Sequence, residues 1–325
     1  MKRNTFPSAL VAVVATTMLF GACGNSDSVA GTSPQLTSAV TTSVATTSGA
    51  TTPASLAPQA STTSTLAAPA RIVSLSPTAT EMLFAIGADG SLIAVDDQSN
   101  YPPQVLDKPH DLSGFQPNVE AIAALKPDLV LIGDDSSGLS KQLESLGVPT
   151  WVGAAAASFD DVYSQIEQLG ARTGHIAEAA QLVSQMQTDI KAAVEGAPQA
   201  TTPKTYYHEL DNTYYSVTKN TFIGQVYSLF GLQSIADTQQ VTTDYPQLSA
   251  ESIITADPDF IFLADGGFGE SPASVAARPG WANLKAVTAN NVVVVDADIS
   301  SRWGPRIVDY VKNISDVLGQ AAAAG

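Results

Sequence analysis

The sequence predicts an α/β protein of two lobes joined by one long helix. From Arg71 onward, short apolar runs rich in β-branched residues alternate with helical patterns, which is typical of a parallel sheet covered by helices. His175 to Val194 has apolar residues at near-helical spacing over some twenty residues, and the alternation begins again after it. Two such lobes leave a cleft between them, and ligands favour the loops at the carboxyl ends of the strands.

The N-terminal segment has the features of a secretory signal. Lys2 and Arg3 precede an uncharged apolar run at 9–20 that is too short to span a bilayer. Cys23 is the only cysteine of the chain, and its place after Gly-Ala resembles the lipobox of bacterial lipoproteins, in which the thiol is lipidated. We therefore expect a signal peptide at 1–22 and an exported lipoprotein on the outer face of the cytoplasmic membrane.

Residues 23–70 are predicted to be a disordered linker. The segment consists mainly of Ser, Thr, Ala and Pro, with Asp27 as its one charged residue and no aromatic residue. Such a composition buries too little apolar surface to offset the conformational entropy of folding. A lipid-anchored domain would gain reach from a linker of this length.

The N-terminal lobe is expected at 71–174. Ile72–Leu75 is a strand pattern, Thr78-x-x-Glu81 has the form of a capping box, and Gly87 ends the helix that follows. The remaining elements of this lobe are predicted as helix Asn118–Leu125, strand Leu129–Ile132, helix Leu139–Leu146, strand Thr150–Val152 and helix Phe159–Leu169.

The connecting helix is expected at 175–196 and the C-terminal lobe at 197–325. Gly231 is predicted to end the first helix of this lobe. The elements are strand Lys204–Tyr207, helix Phe222–Phe230, strands Phe260–Leu263 and Val292–Val295, and helix Arg306–Leu318.

An internal repeat relates the two lobes. "NVEAIAALKPDLVLI" at 118–132 and "SAESIITADPDFIFL" at 249–263 share Glu-x-Ile-x-x-x-x-Pro-Asp at identical spacing. Glu120 and Glu251 each fall at the second residue of a helix, where either carboxylate would stabilise the helix dipole by roughly 0.3–1 kcal/mol. Their recurrence also places two equivalent acids on one face of a pseudo-symmetric body, which suits docking onto a basic, two-fold partner.

The sequence contains no motif of a known catalytic or metal site. His110, His175 and His208 are scattered, and in a strand the side chains of "HELD" at 208–211 would face opposite ways. We expect no catalytic residues, no metal and no cofactor. The formal charge of −16 argues against nucleic acid and against a polybasic membrane-binding face.

The cleft is expected to be apolar, lined with aromatic residues and poor in charge. Such a groove suits a large planar or macrocyclic ligand. The candidate ligand-binding residues are Ser76, Tyr101, Phe115, Tyr215, Tyr245, Asp298, Arg302 and Trp303.

Motifs in order from Arg71 to the C-terminus resemble those of ABC-importer substrate-binding proteins of the cobalamin and ferric-siderophore group. They include "RIVSLSPTATEMLFAIG", "YPPQV", "ARPGW", "RWGPRIVDYV" and the two repeat segments. The resemblance implies two Rossmann-like lobes joined by a rigid helix, a ligand between them, and a monomer that delivers it to a membrane permease with its ATPase subunits. It also implies that Glu120 and Glu251 face arginines on the permease.

The resemblance favours a corrinoid as ligand. Tyr101, Phe115, Tyr245 and Arg302 align with ligand-facing positions of cobalamin binders. Ferric siderophores are the alternative, although their negative charge usually needs several arginines. Haem is a third candidate, with Tyr101, Tyr245 or His110 as an axial ligand.

Two other classes of protein remain open. A glycosidase could use Glu120 and Glu251 as its carboxylate pair, which requires a separation of about 5–10 Å. A surface adhesion module would have no cleft large enough for a macrocycle.

Overall fold

The computed structural model describes residues 68–239 and 241–324, which belong to one compact unit. The predicted signal peptide, Cys23 and all but the last three residues of the predicted linker lie outside the described residues. Within the described part, no helix combines the length and apolar character needed to cross a membrane.

The N-terminal lobe is a four-stranded parallel sheet in the order β2-β1-β3-β4. Its elements are β1 Ile72–Leu75, α1 Pro77–Ala85, β2 Leu92–Val95, α2 Val119–Ala124, β3 Leu129–Ile132, α3 Leu139–Ser145, β4 Thr150–Val152 and α4 Phe159–Thr173. Strands β1, β3 and β4 confirm the sequence prediction. Strand β2 was not predicted, and α4 is longer than expected because its C-terminal αL residue is Gly174.

The long helix α5, Ile176–Gly196, follows α4 and packs against it. The C-terminal lobe then repeats the sheet order, as β6-β5-β7-β8. Its elements are β5 Thr205–Glu209, α6 Phe222–Ser228, β6 Gln233–Ser234, α7 Ala250–Ala256, β7 Phe260–Leu263, α8 Pro272–Ala276, α9 Lys285–Thr288, β8 Val292–Val294, α10 Ala297–Ser301 and α11 Ile307–Ala324. The predicted fold class of two α/β lobes joined by one long helix is confirmed.

The repeated Pro-Asp has the same structural function in both lobes. The Asp128 carboxylate accepts hydrogen bonds from the backbone N–H groups of Ala70 and Arg71, both at 2.9 Å, just before β1. The Asp259 carboxylate accepts a hydrogen bond from the Thr205 N–H, also at 2.9 Å, at the start of β5. The repeat therefore fixes the beginning of the first strand of each lobe.

The sheet residues alternate between a shared core and two separate ones. Leu129 and Leu131 face the largest cluster, together with Phe260 and Phe262 from the other lobe. The alternate residues of the same strands face a smaller cluster on the outer side of each lobe. Because helices α5 and α11 contribute to the largest cluster and pack on each other, one hydrophobic core runs through both lobes.

The start of α1 corrects the predicted capping box. Ser76 is the N-cap, its Oγ accepting from the Ala79 N–H at 3.3 Å, and Pro77 is the first helical residue. Proline suits this position because its missing N–H would have had no partner there. Glu81 is then too far into the helix to cap it, and its carboxylate forms ion pairs with the other lobe instead.

Candidate ligand-binding cleft

A cavity of about 530 Å³, which we call the main cavity, lies where loops of the N-terminal lobe meet the end of α10 and the residues that follow it. The N-terminal walls are the loops that follow β1, β2 and β3, and the other wall is Ser301–Trp303. This position, outside the carboxyl ends of parallel strands, is the one expected from the topology. Of the eight predicted ligand-binding residues, four line this cavity: Ser76, Phe115, Arg302 and Trp303.

A chain of buried hydroxyl groups fixes the loop at Ser76. Ser99 Oγ donates to Thr80 Oγ1 at 3.0 Å, and Thr80 Oγ1 donates to Ser74 Oγ at 2.9 Å. Ser74 Oγ then donates to the carbonyl oxygen of Ser76 at 3.1 Å. Because every member is buried and paired, the loop is held rigidly at the cavity wall.

Asp96, at the end of β2, also lines the main cavity, and we call this buried part of its wall the floor. Its carboxylate accepts from the Ser99 N–H at 3.0 Å and is buried, and the burial raises its pKa. Gly114 lies against it, since a Cβ built on Gly114 would be 2.5 Å from Asp96 Oδ2. Because Gly114 has no side chain, the part of the β2–α2 connection that carries Phe115 can lie close to Asp96 on the floor.

Two aromatic residues, one from each lobe, line this cavity. Phe115 is 83% exposed, so its ring is free to contact a ligand. Trp303 is half-buried, and its indole N–H donates to Gln165 Oε1 on α4 at 3.2 Å. Apolar walls with one fixed and one exposed aromatic ring suit an extended, largely apolar ligand surface.

The guanidinium group of Arg302 is already bound within the protein. Its Nη1 donates to Glu81 Oε1 at 3.0 Å and to Asn100 Oδ1 at 2.8 Å. Its Nη2 donates to the carbonyl oxygen of Gln98 at 3.1 Å and to Asp298 Oδ1 at 2.8 Å. Arg302 thus pairs with a carboxylate from each lobe, and its charge is neutralised at the cavity wall.

Glu81 also binds a second arginine. Arg306 Nε donates to Glu81 Oε2 at 2.8 Å and its Nη2 donates to Glu81 Oε1 at 2.5 Å, a bidentate pair. These hydrogen bonds raise the pKa of Arg306. We call Glu81, Arg302 and Arg306 the interlobe ion cluster, because it joins α1 to the segment that begins α11.

Tyr101 lines a different cavity, of about 350 Å³. The Arg306 guanidinium lies 4.2 Å from the centre of the Tyr101 ring, and Glu81 also lines this second cavity. The interlobe ion cluster therefore lies between the two cavities, with Arg302 facing the first and Arg306 the second.

Tyr215 and Tyr245 lie on neighbouring segments of the C-terminal lobe. An antiparallel bridge joins Tyr215 to Gln247, and the Ser216 N–H donates to the carbonyl oxygen of Pro246 at 2.9 Å. Both rings are exposed. They do not line the cavity at Ser76. Asp298 does not line it either, because its carboxylate receives Arg302 and, at 2.8 Å, Asn100 Nδ2.

The C-terminal lobe has a second buried ionic group, at the ends of β5 and β7. Arg278 donates to both oxygens of Glu209, at 2.6 and 2.5 Å, and to Glu270 at 2.8 Å. Asp265 is 3% exposed, and both of its oxygens lack a hydrogen-bond partner. Burial, together with the charge of Glu209, raises the pKa of Asp265 to about 6.

His208 and Glu209 lie on opposite faces of β5, as the "HELD" pattern predicts. His208 is fully buried and its Nδ1 is 2.8 Å from the Tyr227 hydroxyl. Burial lowers the pKa of His208 to about 3. Among the described residues, no group of three or more His, Cys, Asp or Glu is arranged to hold a metal ion.

Glu120 and Glu251 are both exposed, in the first turns of α2 and α7. The N-caps Asn118 and Ser249 accept hydrogen bonds from the backbone at equivalent positions, which gives the two acids equivalent places on their lobes. Glu251 lines a small surface cavity to which Glu120 does not contribute. The arrangement disfavours the glycosidase alternative, which needs both carboxylates in one site.

Sequence reasoning missed part of the cavity and the whole interlobe ion cluster apart from Arg302. Asp96, Gln98 and Gly114 follow β2, the strand that was not predicted. Glu81 was assigned to a cap because its spacing from Thr78 fits the motif. The position of Glu81 inside an apolar helix is the signal of an ion pair, because a buried acid must pair with a cation.

Residues 72–299 match the family model described as periplasmic binding protein. An uncharacterized ABC transporter substrate-binding lipoprotein of Bacillus subtilis is 32% identical over 258 residues, 77% of this chain and 80% of its own. The chain belongs to the periplasmic binding protein family.

Two further proteins connect the family to particular ligands. A cobalamin-binding protein of Halobacterium salinarum is 31% identical over 259 residues, covering 77% of this chain and 69% of its own. The crystal structure of the periplasmic vitamin B12 binding protein of Vibrio cholerae superposes with a TM-score of 0.65 at 28% identity, covering 78% of this chain and 98% of its own. The resemblance to ABC-importer substrate-binding proteins of the cobalamin and iron group is thus confirmed.

Proposed function

We propose that the protein is the lipid-anchored receptor of an ABC importer and that it captures a corrinoid between its lobes. The single observation that carries this ligand class is the state of Arg302, the only basic residue among the described residues that line the main cavity. Its guanidinium group is paired with Glu81 and Asp298, so no free cation is left for an anionic ligand. Cyanocobalamin, whose peripheral corrin side chains are amides, has no net charge, because its cobalt–corrin centre balances the charge of its phosphodiester.

Two of the relatives support the same ligand. The Halobacterium protein and the Vibrio protein are described as binders of cobalamin and of vitamin B12. Phe115 supplies an exposed aromatic ring and Trp303 a fixed one, which suits a large, flat, apolar macrocycle. A ferric siderophore is less well matched, because it would meet Asp96 and Asp134 at the cavity without a free arginine.

Calorimetric titration tests the ligand. Purified protein is titrated with cyanocobalamin and, separately, with ferric hydroxamate and ferric catecholate chelates. We expect saturable heat with cyanocobalamin and none with the ferric catecholate, which is anionic and finds no free cation at the cavity. The ferric hydroxamate is uncharged and tests the fit of size and shape instead. Heat with the chelates alone would replace the corrinoid by a ferric siderophore and would leave the receptor function in place.

The N-terminal assignments are part of the same proposal. Signal peptide 1–22, lipidation of Cys23 and a linker at 23–70 would tether a monomeric binding domain made of lobes 71–174 and 197–325 and the helix 175–196. We expect Cys23→Ala to release the protein from the membrane fraction into the soluble fraction, as measured by immunoblotting of fractionated cells. Membrane retention of that variant would show that another segment anchors the chain.

A further inference from the structure

Glu81 is the buried residue on which both arginines of the interlobe ion cluster depend. Its side chain is 2% exposed, and both of its oxygens are hydrogen-bonded to guanidinium groups. A carboxylate so deeply buried is stable only when it is paired and hydrogen-bonded. Neither α1 nor the cavity floor provides that pairing, since the partners come from Arg302 and Arg306 beyond β8.

Both arginines line a cavity, but their guanidinium groups are bound to oxygen atoms of the protein. Arg302 has four hydrogen bonds to protein oxygens, and its side chain is 12% exposed although it lines the main cavity. Arg306 has its Nε and Nη2 on Glu81 and stacks on Tyr101. Without Glu81, two positive charges would remain beside two cavities.

The rest of the main cavity adds negative charge. Asp96 and Asp134 line it, and Asp134 is exposed, with its pKa lowered by hydrogen bonds from Ser136. An anionic group entering this space would be repelled by the acids and would find Arg302 occupied. Glu81 does not line the main cavity, but it determines whether Arg302 adds a free positive charge there.

We propose that Glu81 is a specificity-determining residue: by binding Arg302 and Arg306 it withholds both guanidinium groups from the ligand, so that the cleft selects neutral over anionic macrocycles. The inference rests on the proposed corrinoid ligand. Glu81 acts through the two arginines and does not itself touch the ligand.

The test compares two corrinoids of nearly equal size that differ in one charge. These are cyanocobalamin and its monocarboxylic acids, in which one peripheral amide is replaced by a carboxylate. Calorimetry on the unmodified protein is expected to give a Kd about tenfold or more weaker for the acids, the size expected for one unfavourable charge in a partly screened site. Glu81→Gln, which keeps the shape of the side chain, is expected to remove most of this tenfold difference.

Asp298→Asn provides a second variant in case Glu81→Gln does not fold, as judged by circular dichroism. Asp298 is 39% exposed and pairs with the same guanidinium, so its loss is expected to reduce the discrimination by a smaller factor. Glu144→Gln on α3 removes an equal charge from an exposed site and is expected to leave the ratio of the two Kd values unchanged.

Each result decides a separate question. If cyanocobalamin binds and the ratio stays the same in both cluster variants, the role of Glu81 is overturned and the receptor function stands. Loss of cyanocobalamin binding in folded Glu81→Gln would also overturn it, because Glu81 would then be needed to form the cavity. If neither corrinoid binds the unmodified protein, the proposed ligand fails, and this inference fails with it.

Discussion

Ser76 combines two functions at the end of the first strand. Its Oγ caps α1, and the residue also lines the main cavity. Ser76→Ala removes the cap and is expected to lower the free energy of unfolding by about 1 kcal/mol, measured by urea denaturation. We also expect weaker ligand binding, because the Ser76 hydroxyl is lost from the cavity wall.

Ser158→Ala is the matched control for that variant. Ser158 caps α4 through the Asp161 N–H at 3.2 Å and does not line the cavity. It is expected to lose similar stability with no change in ligand affinity. Equal losses of affinity in both variants would mean that the effect of Ser76→Ala reflects general destabilisation.

Gly114 tests how closely the Phe115 loop must approach the floor. In Gly114→Ala, the new Cβ would be 2.5 Å from Asp96 Oδ2, and the carboxylate has little freedom to move because it accepts from the Ser99 N–H. We expect ligand affinity to fall by a factor between about two and about ten, measured by calorimetry, since an aromatic contact is worth about 0.5–1.5 kcal/mol. Gly90→Ala, where a Cβ meets no atom within 4 Å, should bind normally.

Asp265 is expected to make stability depend on pH. Its pKa of about 6 lies above the ordinary 3.8, so the folded state holds the proton more tightly than the unfolded state. The stabilisation is therefore present below about pH 4 and is lost as the pH rises to about 6. Asp265→Asn should not show this loss, so the difference in unfolding free energy between it and the unmodified protein should grow over that range.

Urea denaturation at pH 4, 5, 6 and 7 measures that difference. Asp107→Asn, which replaces an exposed acid, is the control for the loss of one negative charge. A flat profile for Asp265→Asn would show that Asp265 is not held protonated in the folded protein.

Individual residues differ in how far their positions could be predicted from the sequence. The positions of Ser76, Phe115 and Trp303 at the cavity were predictable because each lies beside Pro or Gly outside a helix or strand. The partners of Glu81 are not predictable, because Arg302 is 221 positions away and the contact exists only once both lobes have formed. The spacing of Glu81 from Thr78 suggested a helix cap, whereas its ion pairs with Arg302 and Arg306 show that it joins the two lobes.

At the scale of elements, the repeated helices α2 and α7 carry the docking hypothesis. We expect Glu120→Lys with Glu251→Lys to abolish ligand uptake in cells that depend on this receptor, because both reversed charges would repel a basic permease surface. Ligand binding by the purified variant should be unchanged, since neither glutamate lines the main cavity.

Glu144→Lys reverses an exposed charge on α3 and should leave uptake intact. Uptake at the normal rate by the double variant would show that the permease docks elsewhere. Uptake reduced equally by Glu144→Lys would mean that overall charge, and not the repeated position, matters.

The elements themselves were largely predictable, for reasons that differ between strands. β3 and β7 are four-residue apolar runs following Pro-Asp, and all of their residues are buried. β2 was not predicted because "LIAV" is a run of only four residues that directly follows a short 3₁₀ turn, and two-residue β6 is too short to show any periodicity. Their presence follows from pairing with β1 and β5.

At the scale of the whole molecule, the interlobe ion cluster is expected to limit domain motion. Glu81 links α1 to Arg302 and Arg306, and Asn100 is hydrogen-bonded to Asp298 across the same boundary. Small-angle X-ray scattering should therefore give a radius of gyration that changes by less than about 1 Å on ligand binding, well below a hinge closure. A decrease of several ångströms would contradict a preformed cleft.

The hydrophobic core that passes through both lobes has a consequence for how the protein loses its structure. Leu131 of one sheet and Phe262 of the other belong to the same buried cluster as Val183 and Val311 of the two long helices. Either half produced alone would leave its share of that cluster in water, which favours aggregation. The two lobes are therefore not expected to fold independently: heat should unfold both in one step, and exchanging a single lobe with that of a relative should fail unless the two long helices are exchanged with it.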